Sequence, residues 1–425
     1  MSAAHRLRVA WRVLRAEGAA AVRDRTWDRL AEAARRRSYS PMPPDWRPEA
    51  PIPVLLVTSA PPVPWLGGVP TQLRTRLEAE ARGRSIALLY PLDSNIGAWR
   101  LEVLTGAERW FLEIPGAAPS PVALDDAAFE GAVRRAAERV GARAVQAEGL
   151  AGLPPASLLR LAQGGFQLIL SLHDFAAFSP LPHEWPLGAH EERRALAAEL
   201  LSAAGAVIFP SDFLRRFHLE RLPAIAPEAA GRWHVLEPPI ASTVALPRPS
   251  SRPLRHVAFV GSVQPHKGSL VFAELVRRLA GAGLRWSAYG GGDAGQLRAL
   301  RRLGVRVRGY YRSGSLPGLL RRDGVDLALL PSVGPESHNL ALSECVVAGV
   351  PVLAFALGAV AERVPALEAG RLVPLELGAE GIAATLRDLQ RDGLPAVPDE
   401  AARLLADPVS AAAGYLALYR ELGLV

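Results

Sequence analysis

Strand, loop and helix follow one another repeatedly along this 425-residue chain, in two series separated by a break, and few folds accommodate that rhythm. Short apolar runs at 54–58, 86–90, 166–172 and 206–209 read as buried strands. Alanine- and arginine-rich stretches of helical period, such as 127–140 and 191–204, lie between them. A Pro/Ser/Arg segment at 246–253 interrupts the pattern, and a second series opens at Leu254, with runs at 257–260, 286–290, 305–308, 327–330 and 350–354. Alternating strands and helices predict parallel, doubly wound sheets. Two such domains predict a ligand cleft between them, at the carboxyl ends of the strands. The expected organisation is a helical arm at 1–45, one α/β domain at 46–245, a second at 246–400, and a C-terminal helix at 401–425 returning to the first domain.

A formal charge of +7 suggests a nucleic-acid partner until it is localised. Residues 1–40 hold ten arginines and four acids, and the remainder has 39 basic and 38 acidic residues. The positive charge therefore belongs to the arm, and no nucleic-acid partner is expected. Within the arm Leu7, Trp11 and Leu14 form one stripe with Arg8, Arg12 and Arg15 beside it. After Gly18, the residues Val22, Thr26, Leu30 and Ala33 resume a stripe. Two readings stand: a segment that docks on an anionic bilayer, or a helix packed on the body with its arginines in water. The uncharged stretch 50–73 is broken by six prolines, and 345–361 contains Gly349, Pro351 and Gly358, so no transmembrane span is expected. The single cysteine, Cys345, allows no intrachain disulfide and fits a reducing compartment.

Lys267 is the one lysine beside 48 arginines, and it lies in Gly261-Ser-Val-Gln-Pro-His-Lys-Gly268, between a strand and a helical run. A lysine is a compact point charge that reaches one crowded oxygen, where arginine presents a planar fork. Strand, glycine-bearing loop and helix N-terminus is how α/β folds hold phosphate. Gly67-Gly68, after the first strand, would let backbone amides approach an anion. His173 stands at a strand's carboxyl end, where it could donate to a sugar hydroxyl or serve structure alone. Gly290-Gly-Gly-Asp-Ala-Gly295 has the dinucleotide-fingerprint spacing but follows a later strand, so it is not read as one. Pro331 to Glu344 follows an apolar strand and runs into a helix, with Glu336 in the loop and Glu344 about one turn inside. Each carboxylate can accept two hydrogen bonds from a vicinal diol. The amides of His338, Asn339 and Leu340 would favour an anion between them.

Glu336-x7-Glu344, with Ala348-Gly-Val-Pro-Val352 and Gly358-Ala-Val-Ala-Glu362, resembles the signature of family 4 retaining glycosyltransferases of GT-B fold. The Gly261–Gly268 loop is similar to that family's phosphate loop, and Gly67-Gly68 and His173-Asp174 to its N-domain features. Pro335-Glu-Ser with Leu342-Ser-Glu344 and Glu362-Arg363 looks most like enzymes of bacterial surface-polysaccharide assembly. The resemblance implies a GT-B fold of two Rossmann-like domains and transfer from a nucleotide-sugar to a saccharide or lipid-linked saccharide acceptor. No cofactor and no metal are implied, and the location would be cytoplasmic, on or near the inner face of the plasma membrane. By position it implies that Lys267 neutralises the diphosphate, Glu344 holds ribose, Glu336 holds the transferred sugar, and His173 contacts that sugar. The Gly67-Gly68 amides would touch the diphosphate, and the backbone around Tyr310 resembles the base-binding turn. Ser262 departs from the pattern, because many members carry arginine there. That departure motivates one alternative, a non-catalytic nucleotide-sugar-binding subunit; an epimerase on the same fold is another.

Overall fold

The computed structural model describes residues 3–92, 97–106, 108–181, 184–222, 225–246 and 253–425, without the side chains of residues 3–9 and 64. The side chains of Leu7 and Arg8, and most of the segment at 246–253, lie outside the described residues. The chain divides into two units, one of residues 32–239 and 408–425, the other of residues 1–31 and 240–407. Helix Ala19–Arg37 runs through the division at Ala31.

The first unit is built on nine strands: β1 (Ser40–Pro41), β2 (Val54–Val57), β3 (Ile86–Pro91), β4 (Ala98–Thr105), β5 (Glu108–Pro115), β6 (Ala144–Glu148), β7 (Gln167–Ser171), β8 (Ala206–Phe209) and β9 (Trp233–Val235). Their order is β1-β5-β4-β3-β2-β6-β7-β8-β9. From β3 through β9 neighbouring strands pair in parallel, as the alternation predicts. Strands β4 and β5 correct that expectation, since they form an antiparallel hairpin that joins β3 antiparallel as well. Trp99, Leu101 and Val103 are buried in the core at every second position, the period of a strand with two unlike faces. The turn passes through Gly106, whose φ of 55° is left-handed.

Within the parallel part both faces are covered. Leu55 and Val57 of β2 enter one core, and Val54 and Leu56 pack in two others on the alternate positions. Val54, Ala144, Ile169, Ala206 and Ile208 are covered by Tyr415, Leu418 and Tyr419 of the C-terminal helix Pro408–Glu421. Each of those three buried side chains contributes about 1.5–3 kcal/mol, so this last helix is a working part of the unit.

The second unit has six parallel strands: β10 (His256–Val260), β11 (Arg285–Tyr289), β12 (Arg306–Gly309), β13 (Leu327–Leu330), β14 (Val352–Phe355) and β15 (Gly370–Val373). They lie in the order β12-β11-β10-β13-β14-β15, with every pairing parallel. Numbered within the unit this is 3-2-1-4-5-6, so the chain reverses direction between β10 and β13 and opens a crevice at their carboxyl ends. Val257 and Phe259 face one core and Ala258 and Val260 the other. Helices Ala3–Glu17 and Ala19–Arg37 begin the chain, and residues up to Ala31 belong to this second unit. No helix of the described residues is long and apolar enough to cross a membrane.

Candidate functional site

The loop after β10 and the loop after β13 meet where the second sheet reverses. Lys267 ends a short 3₁₀ turn, Pro265–Lys267, and Gly268 follows with a φ of 77°. A Cβ at 268 would lie 1.8 Å from the Pro331 carbonyl oxygen, so only glycine lets the loop press against the end of β13. The Val333 amide then donates to the His266 carbonyl at 3.0 Å, tying the two loops together.

This close approach brings Lys267 onto Glu336. The Lys267 ammonium lies 2.7 Å from both Glu336 carboxylate oxygens, and the Ser332 hydroxyl donates to Oε1 at 2.5 Å. Burial raises the Glu336 carboxyl, but the Lys267 charge and these hydrogen bonds outweigh it and leave its pKa below the ordinary value. The Glu336 main chain is fixed too: its carbonyl accepts from the Ala359 amide at 2.8 Å. Gly358, at φ 64°, fits beneath it where a Cβ would stand 2.5 Å from the Glu336 nitrogen. Buried Arg363 donates to the His338 carbonyl at 3.0 Å and to the Ser343 hydroxyl at 2.9 Å, bracing the segment that follows.

Asn339, at φ 74°, caps helix Leu340–Val347 by accepting from the Leu342 amide at 3.0 Å. Asn339 and Leu340 are half-buried, whereas His338 is 4% exposed. Glu344 lies on this helix. Burial pushes its carboxyl up to about 8, against a smaller opposing hydrogen bond from the Gly314 amide. At neutral pH that carboxyl is protonated. Ser262 is exposed in the phosphate-type loop.

Tyr310 is bonded through its main chain and its hydroxyl. Its amide donates to Glu17 at 2.9 Å, its carbonyl accepts from Arg308 at 3.0 Å, and its hydroxyl donates to Asp28 at 2.6 Å. The Tyr310 amide is thus already bonded to a carboxylate of the arm.

In the first unit the corresponding reversal lies between β2 and β6. Gly67, at φ 133° with open space on its Cβ side, leads into helix Gly68–Glu80; both glycines are exposed. That helix carries Gln72 and Arg76 toward Glu148 at the end of β6 and His173 just past β7. Arg76 donates to Glu148 Oε1 at 2.5 Å, and Gln146 to the same oxygen at 2.7 Å. Burial opposes ionisation of Glu148, but Arg76 and His173 prevail and hold its pKa to about 2. An ionised Glu148 only accepts, so His173 Nε2 is the donor at 3.1 Å, and Nδ1 accepts from the Gln72 amide at 2.9 Å. Both ring nitrogens thus bond to protein groups, which fits the structural one of the two roles read from the sequence. A small recess lined by Gln72, Arg76, Glu148, His173 and Tyr415 lies beside this network.

Gln72 lies in a glycine-led stretch and Glu148 ends an apolar run, yet neither spacing announces the pairing with His173. Ser332 and the bracing roles of Gly358 and Arg363 were likewise missed, since they depend on backbone contacts between distant segments.

Residues 255–392, about a third of the chain, match the family model described as glycosyl transferases group 1. Among curated protein sequences, none matches the chain. Among solved structures, sucrose-phosphate synthase from Thermosynechococcus elongatus is 17% identical, with a TM-score of 0.65, covering 87% of this chain and 99% of its own. HepE from Anabaena, in complex with UDP-glucose, is 16% identical, with a TM-score of 0.61 and coverage of 88% and 100%. The catalytic domain of starch synthase IV from Arabidopsis thaliana, bound to ADP and acarbose, is 12% identical, with a TM-score of 0.55 and coverage of 88% and 99%. At such identities the shared property is the fold. The chain has the two-domain α/β GT-B fold with a helical N-terminal region.

Proposed function

We propose that the protein is a retaining glycosyltransferase that moves a sugar from a nucleotide-sugar to a saccharide or lipid-linked saccharide acceptor in surface-polysaccharide assembly. The observation that carries this reading is the Lys267–Glu336 pair, fixed at the reversal of a 3-2-1-4-5-6 sheet within the segment that matches glycosyl transferases group 1. Lys267 offers a single compact charge for the leaving diphosphate, beside the start of helix Ser269–Arg278. Glu336 accepts hydroxyls of the transferred sugar, and Glu344 those of the ribose. Charge that develops on the leaving group is met by groups already in place, the most effective form of electrostatic stabilisation. HepE crystallised with UDP-glucose supports a nucleotide-sugar donor. In this account the leaving phosphate takes the acceptor's proton, and neither a cofactor nor a divalent metal is needed.

The test is incubation of purified protein with a panel of nucleotide-sugars and oligosaccharide or lipid-linked acceptors, with and without EDTA. The expected result is acceptor-dependent release of nucleoside diphosphate that survives chelation, with the new linkage keeping the donor's anomeric configuration. Absence of any donor-induced rise in melting temperature across the panel would sink the assignment, because a tight ligand must stabilise the protein. A second reading, a binding subunit without turnover, is favoured by Ser262 alone. It predicts donor-induced stabilisation with no nucleotide release.

A further inference from the structure

The arm carries its polarity inside out. Helices on a protein surface ordinarily bury an apolar stripe and turn their charges to water. Between residues 10 and 31 the buried positions are Ala16, Glu17, Ala21, Asp24 and Asp28. Trp11 is 57%, Leu14 39%, Trp27 55% and Leu30 63% exposed. The reason lies in the second unit, whose basic and donor groups receive the acids. Arg308 binds Asp24 at 2.6 Å, and the Tyr310 amide and hydroxyl bind Glu17 at 2.9 Å and Asp28 at 2.6 Å. Arg301 adds bonds to the carbonyls of Arg15 and Ala16 at 2.7 and 2.6 Å.

Glu17, Asp24 and Asp28 are all the carboxylates between residues 10 and 31, and each is turned inward. The outward side is left with indoles, leucines and the exposed guanidiniums of Arg12, Arg15, Arg23 and Arg29. Arg15 lies over the Trp11 ring and Arg312 over the Trp27 ring, each 5.1 Å from the centroid. Cation and indole are therefore presented together.

We propose that this outward side of the arm docks the protein on the surface of an anionic lipid bilayer. Tryptophan and arginine side by side suit the headgroup layer, where the ring enters the interface and the guanidinium meets phosphate. Charge complementarity selects the occupant. Segregating every acid to the inner side leaves a wholly cationic outer one, which a helix facing only water has no need to do. Nucleic acid would be met by cations without four large aliphatic and aromatic side chains between them. A bilayer uses both, and the proposal stands whether or not the unit transfers sugar.

Sedimentation of the full chain with vesicles is the test, using phosphatidylcholine alone or with about one-third phosphatidylglycerol. The parent is expected to pellet with the anionic vesicles, to stay in solution with neutral ones, and to be released as salt shortens the Debye length. Trp11→Ser, Leu14→Ser, Trp27→Ser and Leu30→Ser combined should lower the partition coefficient at least tenfold. Arg12→Gln, Arg15→Gln and Arg29→Gln combined should lower it on the order of a hundredfold, at about tenfold or less per charge. Melting temperature and donor-induced stabilisation should persist in both variants, because all seven side chains are exposed. Deleting the arm is a poor substitute, since it strips Arg308 of its partner. The proposal fails if the parent ignores anionic vesicles at low salt, if neutral vesicles bind it equally, or if the variants pellet like the parent. It fails too if sedimentation velocity shows a dimer that the tryptophan substitutions abolish, for then a second copy covers this side.

Discussion

Replacing Glu344 by glutamine removes one titrating group whose two predicted effects have opposite signs. The folded-state pKa of about 8 lies above the ordinary 4.5, so the folded chain holds this proton more tightly than the unfolded one. Stability from that proton is fully present below pH 4.5 and is lost as pH rises toward 8. At about 1.36 kcal/mol per unit the complete shift corresponds to roughly 5 kcal/mol. Glu344 keeps some contact with solvent, so about 2–3 kcal/mol is the expected change between pH 5 and 9. Glutamine matches the shape and carries no charge, so Glu344→Gln should flatten that slope and melt several degrees above the parent at pH 9. Binding should move the other way. A diol is held best by the carboxylate, so the parent's affinity for free nucleoside diphosphate should rise from pH 7 to pH 9. In Glu344→Gln it should stay low and level. Urea or thermal unfolding across pH 5–9, with calorimetric titration of nucleotide, measures both. A parent whose stability relative to Glu344→Gln does not fall with pH would refute a buried neutral acid, whatever the binding shows.

Lys267→Ala should weaken nucleotide-sugar binding by roughly 2–3 kcal/mol, the range of a charge-assisted contact, and Lys267→Arg should recover only part of it; titration calorimetry measures both. Asp24→Leu leaves Arg308 buried without its carboxylate and should cost about 3–5 kcal/mol in denaturant unfolding, much of it recovered by adding Arg308→Met. Gly358→Ala should displace the Glu336 main chain, and if Glu336 holds the transferred sugar as proposed, donor turnover should fall more than nucleotide affinity in steady-state assays.

Much of this architecture was legible because its signals are local. Apolar runs such as Leu327–Leu330 between helical stretches announce buried parallel strands, and the sheets follow. The β4–β5 hairpin was equally local, with alternation at Trp99, Leu101 and Val103, but its charged intervening residues break the continuous apolar run that marks the other strands. Pairings between distant segments left no such trace. Nothing at Lys267 points to a carboxylate 69 residues away, and the contact exists because Gly268 admits the Pro331 carbonyl. The face by which the arm packs was not legible, for a physical reason. Leu30 belongs to a plausible apolar stripe, but the buried donors at Arg308 and Tyr310 need acceptors, and Asp24 and Glu17 supply them.

Neither unit is a single stretch of chain. The nine-stranded unit closes its sheet with residues 408–425, and the six-stranded unit takes residues 1–31 from the opposite end. On a ribosome the first unit's strands emerge early, yet the face formed by Val54, Ala144 and Ile169 stays uncovered until Tyr415 and Tyr419 are made. A nascent chain therefore carries an unfinished apolar surface through synthesis of almost the whole second unit, and chaperone demand should last until residues 408–421 emerge. Dissection into independent fragments faces the same geometry: a cut near residue 240 severs each unit from a piece it needs.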